Sequence, residues 1–141
     1  FIDSEKPTFL SQTTSIYADK CGLVWDIRDD RNLENYFRIT KAYVDNFGHD
    51  GLFHTIGLAE RLFSADRTEN LELKKYTYRR ISEFLKKQYP ASKLLVGSWD
   101  FSMFWHNDEV SALLDELNPE QCIIFDYTSD TLDENDNITY N

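Results

Sequence analysis

Long apolar runs are missing from this 141-residue chain. No stretch approaches the roughly 20 consecutive apolar residues that cross a bilayer, so a membrane-spanning helix is not expected. A cleavable leader is not visible either, and the chain begins at Phe1 rather than Met, which implies processing or a piece of something longer. Cysteine is scarce: Cys21 and Cys122 supply neither a disulfide framework nor a metal site. Each lies in or beside an apolar run, where a buried free thiol is the expected state. The five glycines are scattered, and no Gly-x-Gly-x-x-Gly phosphate loop exists. His-Glu-x-x-His and Gly-x-Ser-x-Gly are also absent. The three histidines include no pair at helical ligand spacing, so neither a metal nor an organic cofactor is expected. Cations are in the minority, 15 Lys and Arg against 25 Asp and Glu, for a net charge of −10. That balance repels phosphate backbones and anionic lipid, which speaks against nucleic acid and membrane surfaces as partners.

What is present is a composition for a packed core, 41% hydrophobic and 15% aromatic. Residues 1–20 have no clean period and read as an irregular lead-in around Pro7. Residues 22–27, Gly-Leu-Val-Trp-Asp-Ile, read as an extended segment, followed by helix-cap candidates at Asp29, Asp30 and Asn32. A helix is predicted from Leu33 to Phe47, with an apolar stripe of Tyr36, Ile39, Tyr43 and Phe47 widened by Phe37 and Val44, and Gly48 as its stop. Residues 51–57 read as a buried strand, residues 64–70 as a loop, and Leu71 to Gln88 as the longest helix, closed by Pro90. A second buried strand is predicted over 93–99 and a third over 121–127. Between them lie an aromatic-rich loop, 100–107, and a short helix, 108–117, with Val110, Leu113, Leu114 and Leu117 on one face. After Thr128 the chain turns acidic and polar, and Asn137-Ile138-Thr139 matches a glycosylation sequon. Three continuous apolar strands alternating with helices predict an α/β fold whose strands are parallel and covered on both faces.

Right-handed crossovers bring the three strand ends to one edge. That edge holds His54, Glu60, Trp99, Asp100, Trp105, His106, Asp126 and Tyr127. Acids beside aromatics suit sugar chemistry. One carboxylic acid protonates the glycosidic oxygen, a second carboxylate attacks or stabilises the anomeric centre, and aromatic faces stack on the ring. Each residue also has a structural reading. Glu60 pairs with Arg61 in a loop, Trp99 belongs to the core, and Phe104 and Trp105 pack the loop down. Asp126 is a turn acid, His54 a hydrogen-bonded core residue, and His106 flanks a helix cap.

The run Phe37 to Arg61 contains Asn-Phe-Gly-His-Asp-Gly-Leu-Phe-His-Thr-Ile-Gly-Leu-Ala-Glu-Arg. It resembles the catalytic barrel of the α-N-acetylglucosaminidases, where a helix ending in Phe-Gly-x-Asp leads to a strand ending in Asn-Glu. Gly97-Ser98-Trp99-Asp100-Phe101 is similar to that family's Gly-Trp-x-Phe segment with one residue inserted, and 121–130 looks like its following strand. The resemblance implies retaining glycoside hydrolysis on a (β/α)8 TIM barrel, with Glu60 as general acid/base. Substrate-binding residues would be His54, Trp99, Asp100, Trp105, Asp126 and Tyr127. Ala59 stands where the family carries Asn, and the family's nucleophile lies on a strand beyond residue 141. A complete barrel needs roughly 250 residues, so the chain would be a central portion of a larger enzyme.

The expectation is therefore a carbohydrate-active hydrolase whose partners are its glycan and the remainder of its parent enzyme. A secreted, periplasmic, cell-surface or lysosomal setting accompanies that expectation. The rival is a complete, non-catalytic α/β domain over 1–141 that binds a ligand or a protein.

Overall fold

A computed structural model describes residues 26–55, 64, 66–98, 101, 105–125 and 135. Helix α1 runs Asp30–Phe47 and starts where Asp29, in extended conformation, accepts a hydrogen bond from the Arg31 N–H at 3.1 Å. It stops at Gly48, whose φ is +75° and whose N–H bonds the Val44 carbonyl at 2.8 Å. Gly51, φ +91°, then turns the chain into strand β1, Leu52–Thr55. No atom crowds either glycine, so the left-handed backbone alone calls for a residue without a Cβ.

Helix α2, Arg67–Gln88, begins four residues before the predicted Leu71. Asp66 caps it, accepting from Thr68 N at 2.7 Å and Glu69 N at 3.2 Å. Buried Asn70 reaches back to Ser64, whose N–H it accepts at 3.1 Å and whose carbonyl its amide donates to. A run rich in capping residues reads as a loop in sequence, yet here it supplies the cap and the first turn. Strand β2 is Lys93–Gly97, helix α3 is Asn107–Leu114, and strand β3 is Cys122–Phe125.

The three strands form one parallel sheet in the order β1-β2-β3. This is an α/β arrangement of consecutive parallel βα units. Thr55 pairs with Val96, and Val96 with Ile124, so the carboxyl ends of all three strands lie at one edge. One face carries Phe53, Leu94, Val96 and Cys122 against Tyr78, Leu85, Leu113, Leu117 and Trp105, with Val96 and Leu113 wholly buried.

The opposite face corrects the expectation of strands covered on both sides. Leu52, His54, Ile123 and Phe125 are exposed there, and Leu95 is half-buried. Helices α2 and α3 both pack on the Leu94 and Val96 side, as crossovers of one hand between consecutive strands require, and nothing among the described residues returns to the other.

α1 corrects a second expectation. Its buried side is Leu33 and Phe37, while Tyr36, Ile39, Tyr43 and Phe47 are exposed. The stripe is real, but α1 leans on α2 through one flank only. The Phe37 ring stacks on Phe84 with centroids 4.5 Å apart, and Arg80 of α2 meets Asp30 and Glu34, each at 2.6 Å. Helix α3 stops at Leu114, short of the predicted residue 117; Leu113 and, past the helix, Leu117 face the core and Val110 is partly buried, but Leu114 points outward. Asp26 and Ile27, predicted as the end of an extended segment, instead enter a turn closed by Asp26–Arg28 and Asp26–Asn32 hydrogen bonds. The rest of that segment, Cys21 and the sequon lie outside the described residues.

Candidate functional site at the carboxyl edge of the sheet

β1 ends by presenting His54 on the uncovered face. Its imidazole lies 6.4 Å from the Phe125 ring, edge to face at 82°, although β2 runs between the two strands. Gly97, paired with Phe125 in the register, places no side chain on that face. The result is a polar ring beside an aromatic one, above the apolar floor of Leu95 and Ile123. Such a surface offers an imidazole for hydroxyl groups and an aromatic face for C–H surface. The exposed His54 does not meet the reading of a core histidine.

The amino ends of α2 and α3 approach the same edge and are bolted together. Arg67 Nε donates to Glu109 Oε1 at 2.8 Å, and its Nη2 to Asp108 Oδ1 at 2.6 Å. Glu109, 7% exposed, also accepts from the His106 N–H at 2.8 Å. Burial works against its carboxylate, but the hydrogen bonds from His106 and Arg67 outweigh it and hold Glu109 below the usual range. His106 is itself the cap residue of α3, directly before Asn107, rather than a neighbour of the cap.

Trp105 corrects a further expectation. The substrate-binding role implied by the resemblance needs an accessible ring, but Trp105 is 6% exposed, in the core, as its reading as a residue that packs the loop down has it. The Lys74 ammonium sits 4.3 Å from its ring centroid and Phe101 meets it edge-on at 5.6 Å. The apolar floor under the loop claims the indole, because burying so large a ring outweighs leaving it free. Glu60, Arg61, Trp99, Asp100, Phe104, Asp126 and Tyr127 lie outside the described residues. In the chain they follow Thr55, Gly97 and Phe125, the last residues of the three strands.

Sequence reasoning missed Arg67, Lys74 and Glu109. The signal for Glu109 was available, since it stands three residues after the cap position 106 and before an apolar run. Lys74 carried no signal: a lysine amid charged helix residues looks solvated until its neighbours are known. Cys122 is half-buried on the covered face, and burial pushes its thiol up. No group of three metal-ligating side chains occurs among the described residues. No helix among them is long and apolar enough to cross a membrane. Grooves of about 530 Å³ beside His49 and Tyr89, and about 450 Å³ between α1 and α2, lie away from the carboxyl edge. The chain matches no family model, no curated protein and no solved structure.

Proposed function

We propose that the chain is a central portion of a (β/α)8 glycoside hydrolase. The observation that carries this reading is the uncovered face of the sheet. Parallel sheets are found with both faces covered. This one has its helices on one side and an apolar row, Leu52, Leu95, Ile123 and Phe125, on the other. Further parallel strands closing around that row would bury it as the interior of a barrel and bring the carboxyl edge to the mouth.

In this reading Glu60, beyond the end of β1, is the general acid/base. It protonates the leaving oxygen and later takes a proton from water, while a nucleophile from a later strand attacks the anomeric carbon. The two carboxyls would stand about 5 to 5.5 Å apart if the reaction retains configuration. Aromatic neighbours that desolvate Glu60 would raise its pKa towards working pH. Asp126 and Asp100 bind hydroxyls, His54 and Tyr127 line the site, and Trp99 stacks on the sugar. Trp105 has no place in it. The resemblance to α-N-acetylglucosaminidases supports the chemistry more than the sugar, because Ala59 replaces the Asn that precedes the acid in that family.

The full-length reading frame, screened on chromogenic glycosides, tests the proposal. Glu60→Gln should lower turnover by about a hundredfold or more. The loss should shrink for leaving groups acidic enough to depart unprotonated. Unchanged turnover in that variant removes Glu60 from the mechanism, and no turnover by the wild type on any glycoside removes the activity.

A second reading, a non-catalytic α/β domain that binds another protein, is favoured by the exposed row Tyr36, Ile39, Tyr43 and Phe47 on α1. A full-length protein no longer than these βα units, folded and inert towards glycosides, would select it.

A further inference from the structure

We propose that two cations of α2, Arg67 and Lys74, are positioning residues that fix Trp105 and His106, where the chain enters α3 at the carboxyl edge. Lys74 is only 5% exposed. Burying an ammonium is costly, and a methionine would fill much the same space without that cost. What the ammonium adds is direction: it lies over the face of the Trp105 indole, 4.3 Å from the centroid. One residue further on, the same connection is held again. The buried Glu109 carboxylate takes the His106 N–H on one oxygen and Arg67 Nε on the other, both at 2.8 Å. A single carboxylate thus joins the first residue of α2 to the backbone entering α3.

The near side of the connection is tied to the sheet. Ser98 N donates to the Phe125 carbonyl and Phe101 N to the Ser98 carbonyl, both at 2.9 Å. Phe101 then packs edge-on against Trp105. Restraints therefore run from β3 through Ser98, Phe101, Trp105 and His106 to α2. Ordinary helix packing needs none of these charges, and other ion pairs of α2, Lys75–Glu116 and Arg80–Asp30, already join it to its neighbours. The consequence for substrate rests on the glycosidase reading: fixed residues on either side of Trp99 and Asp100 would lower the ordering cost of binding a sugar there.

Hydrogen exchange on the full-length polypeptide tests the inference, comparing peptides over 98–106 with peptides over 85–96. Lys74→Met and Glu109→Gln should each speed exchange in 98–106 by about tenfold and leave 85–96 nearly unchanged. Lys74→Arg, which keeps a cation over the ring, should behave as wild type. On a glycoside that the wild type cleaves, Lys74→Met should raise KM more than it lowers kcat. Equal acceleration in both regions, or wild-type exchange in both variants, overturns the inference. Accelerated exchange confined to 98–106 in an enzyme that cleaves no glycoside upholds the positioning role and sinks the glycosidase reading instead.

Discussion

The two faces of the sheet are built from the same strands and differ in what meets them. On the central strand, Leu94 and Val96 are 3% and 0% exposed while Leu95, facing the other way, is half-buried. On the edge strand β3, Ile123 and Phe125 of the uncovered face are 43% and 44% exposed, and Ile124 of the covered face is 43% exposed too, beyond the reach of the helices. Residue type does not explain this, because both faces are aliphatic and aromatic. Connectivity does. Each crossover returns α2 or α3 to the same side, so the covered face has a partner within the described residues and the other does not. An apolar pattern states which positions need covering; it does not state that the cover belongs to the same stretch of chain. The rows on α1 repeat the lesson, with Leu33 and Phe37 covered and Tyr43 and Phe47 open.

Substitutions on opposite sides of this divide should separate cleanly. Trp105→Ala, on the covered side, should cost about 3–5 kcal/mol, read as the shift in urea midpoint at constant slope. A ligand-binding defect with stability unchanged would break the assignment of Trp105 to the core. Next in size is Glu109→Gln, which should cost about 1.5–3 kcal/mol, since hydrogen bonds to a charged group are worth that much.

The same residue makes stability depend on pH. Its pKa is depressed in the folded state, so its contribution is complete above the unfolded carboxylate value and fades as pH falls through the lower, folded one. Asp26 has the same sign, chiefly through its hydrogen bond with Arg28. Melting temperature should therefore fall on acidification below the ordinary carboxylate range, and fall less in Glu109→Gln; an identical drop in both proteins would remove Glu109 as a contributor.

Arg80→Leu should cost no more than about 1 kcal/mol, because its partners Asp30 and Glu34 are well exposed. The smallest effect should come from Phe125→Ser, within about 0.5 kcal/mol in the 141-residue chain, like other exposed sites. In a longer protein that closes over the bare face, the same change should instead cost as much as a core substitution. Equal small effects in both settings would mean that this face stays open and would count against a barrel.

Element type and order were legible because they are local. The apolar run over 93–97, bounded by Pro90 and polar residues, makes a strand whatever surrounds it. Asp29, Gly48 and Pro90 mark helix boundaries through backbone chemistry that needs no distant partner. The start of α2 was misplaced because Asp66 and Asn70 suit a loop as well as a first turn, and only the bonds of both to Ser64 decide between them. At the site, His54 was legible as a residue of the carboxyl edge, since strand order and crossover hand suffice for that. Trp105 was not, because a loop tryptophan serves a ligand or a core equally well until its neighbours are known.

By itself, then, the sequence determined the strands and helices of the described residues and their alternation, and through them a parallel sheet with one chemically loaded edge. Periodicity, caps and the hand of crossovers act over a few residues or one βα unit. Only the tertiary structure decided which apolar rows are covered, that Lys74 is buried against an indole, and that Arg67 and Glu109, 42 residues apart in sequence, tie two helices together. Burial is a property of pairs of surfaces, and no single segment carries both members of the pair.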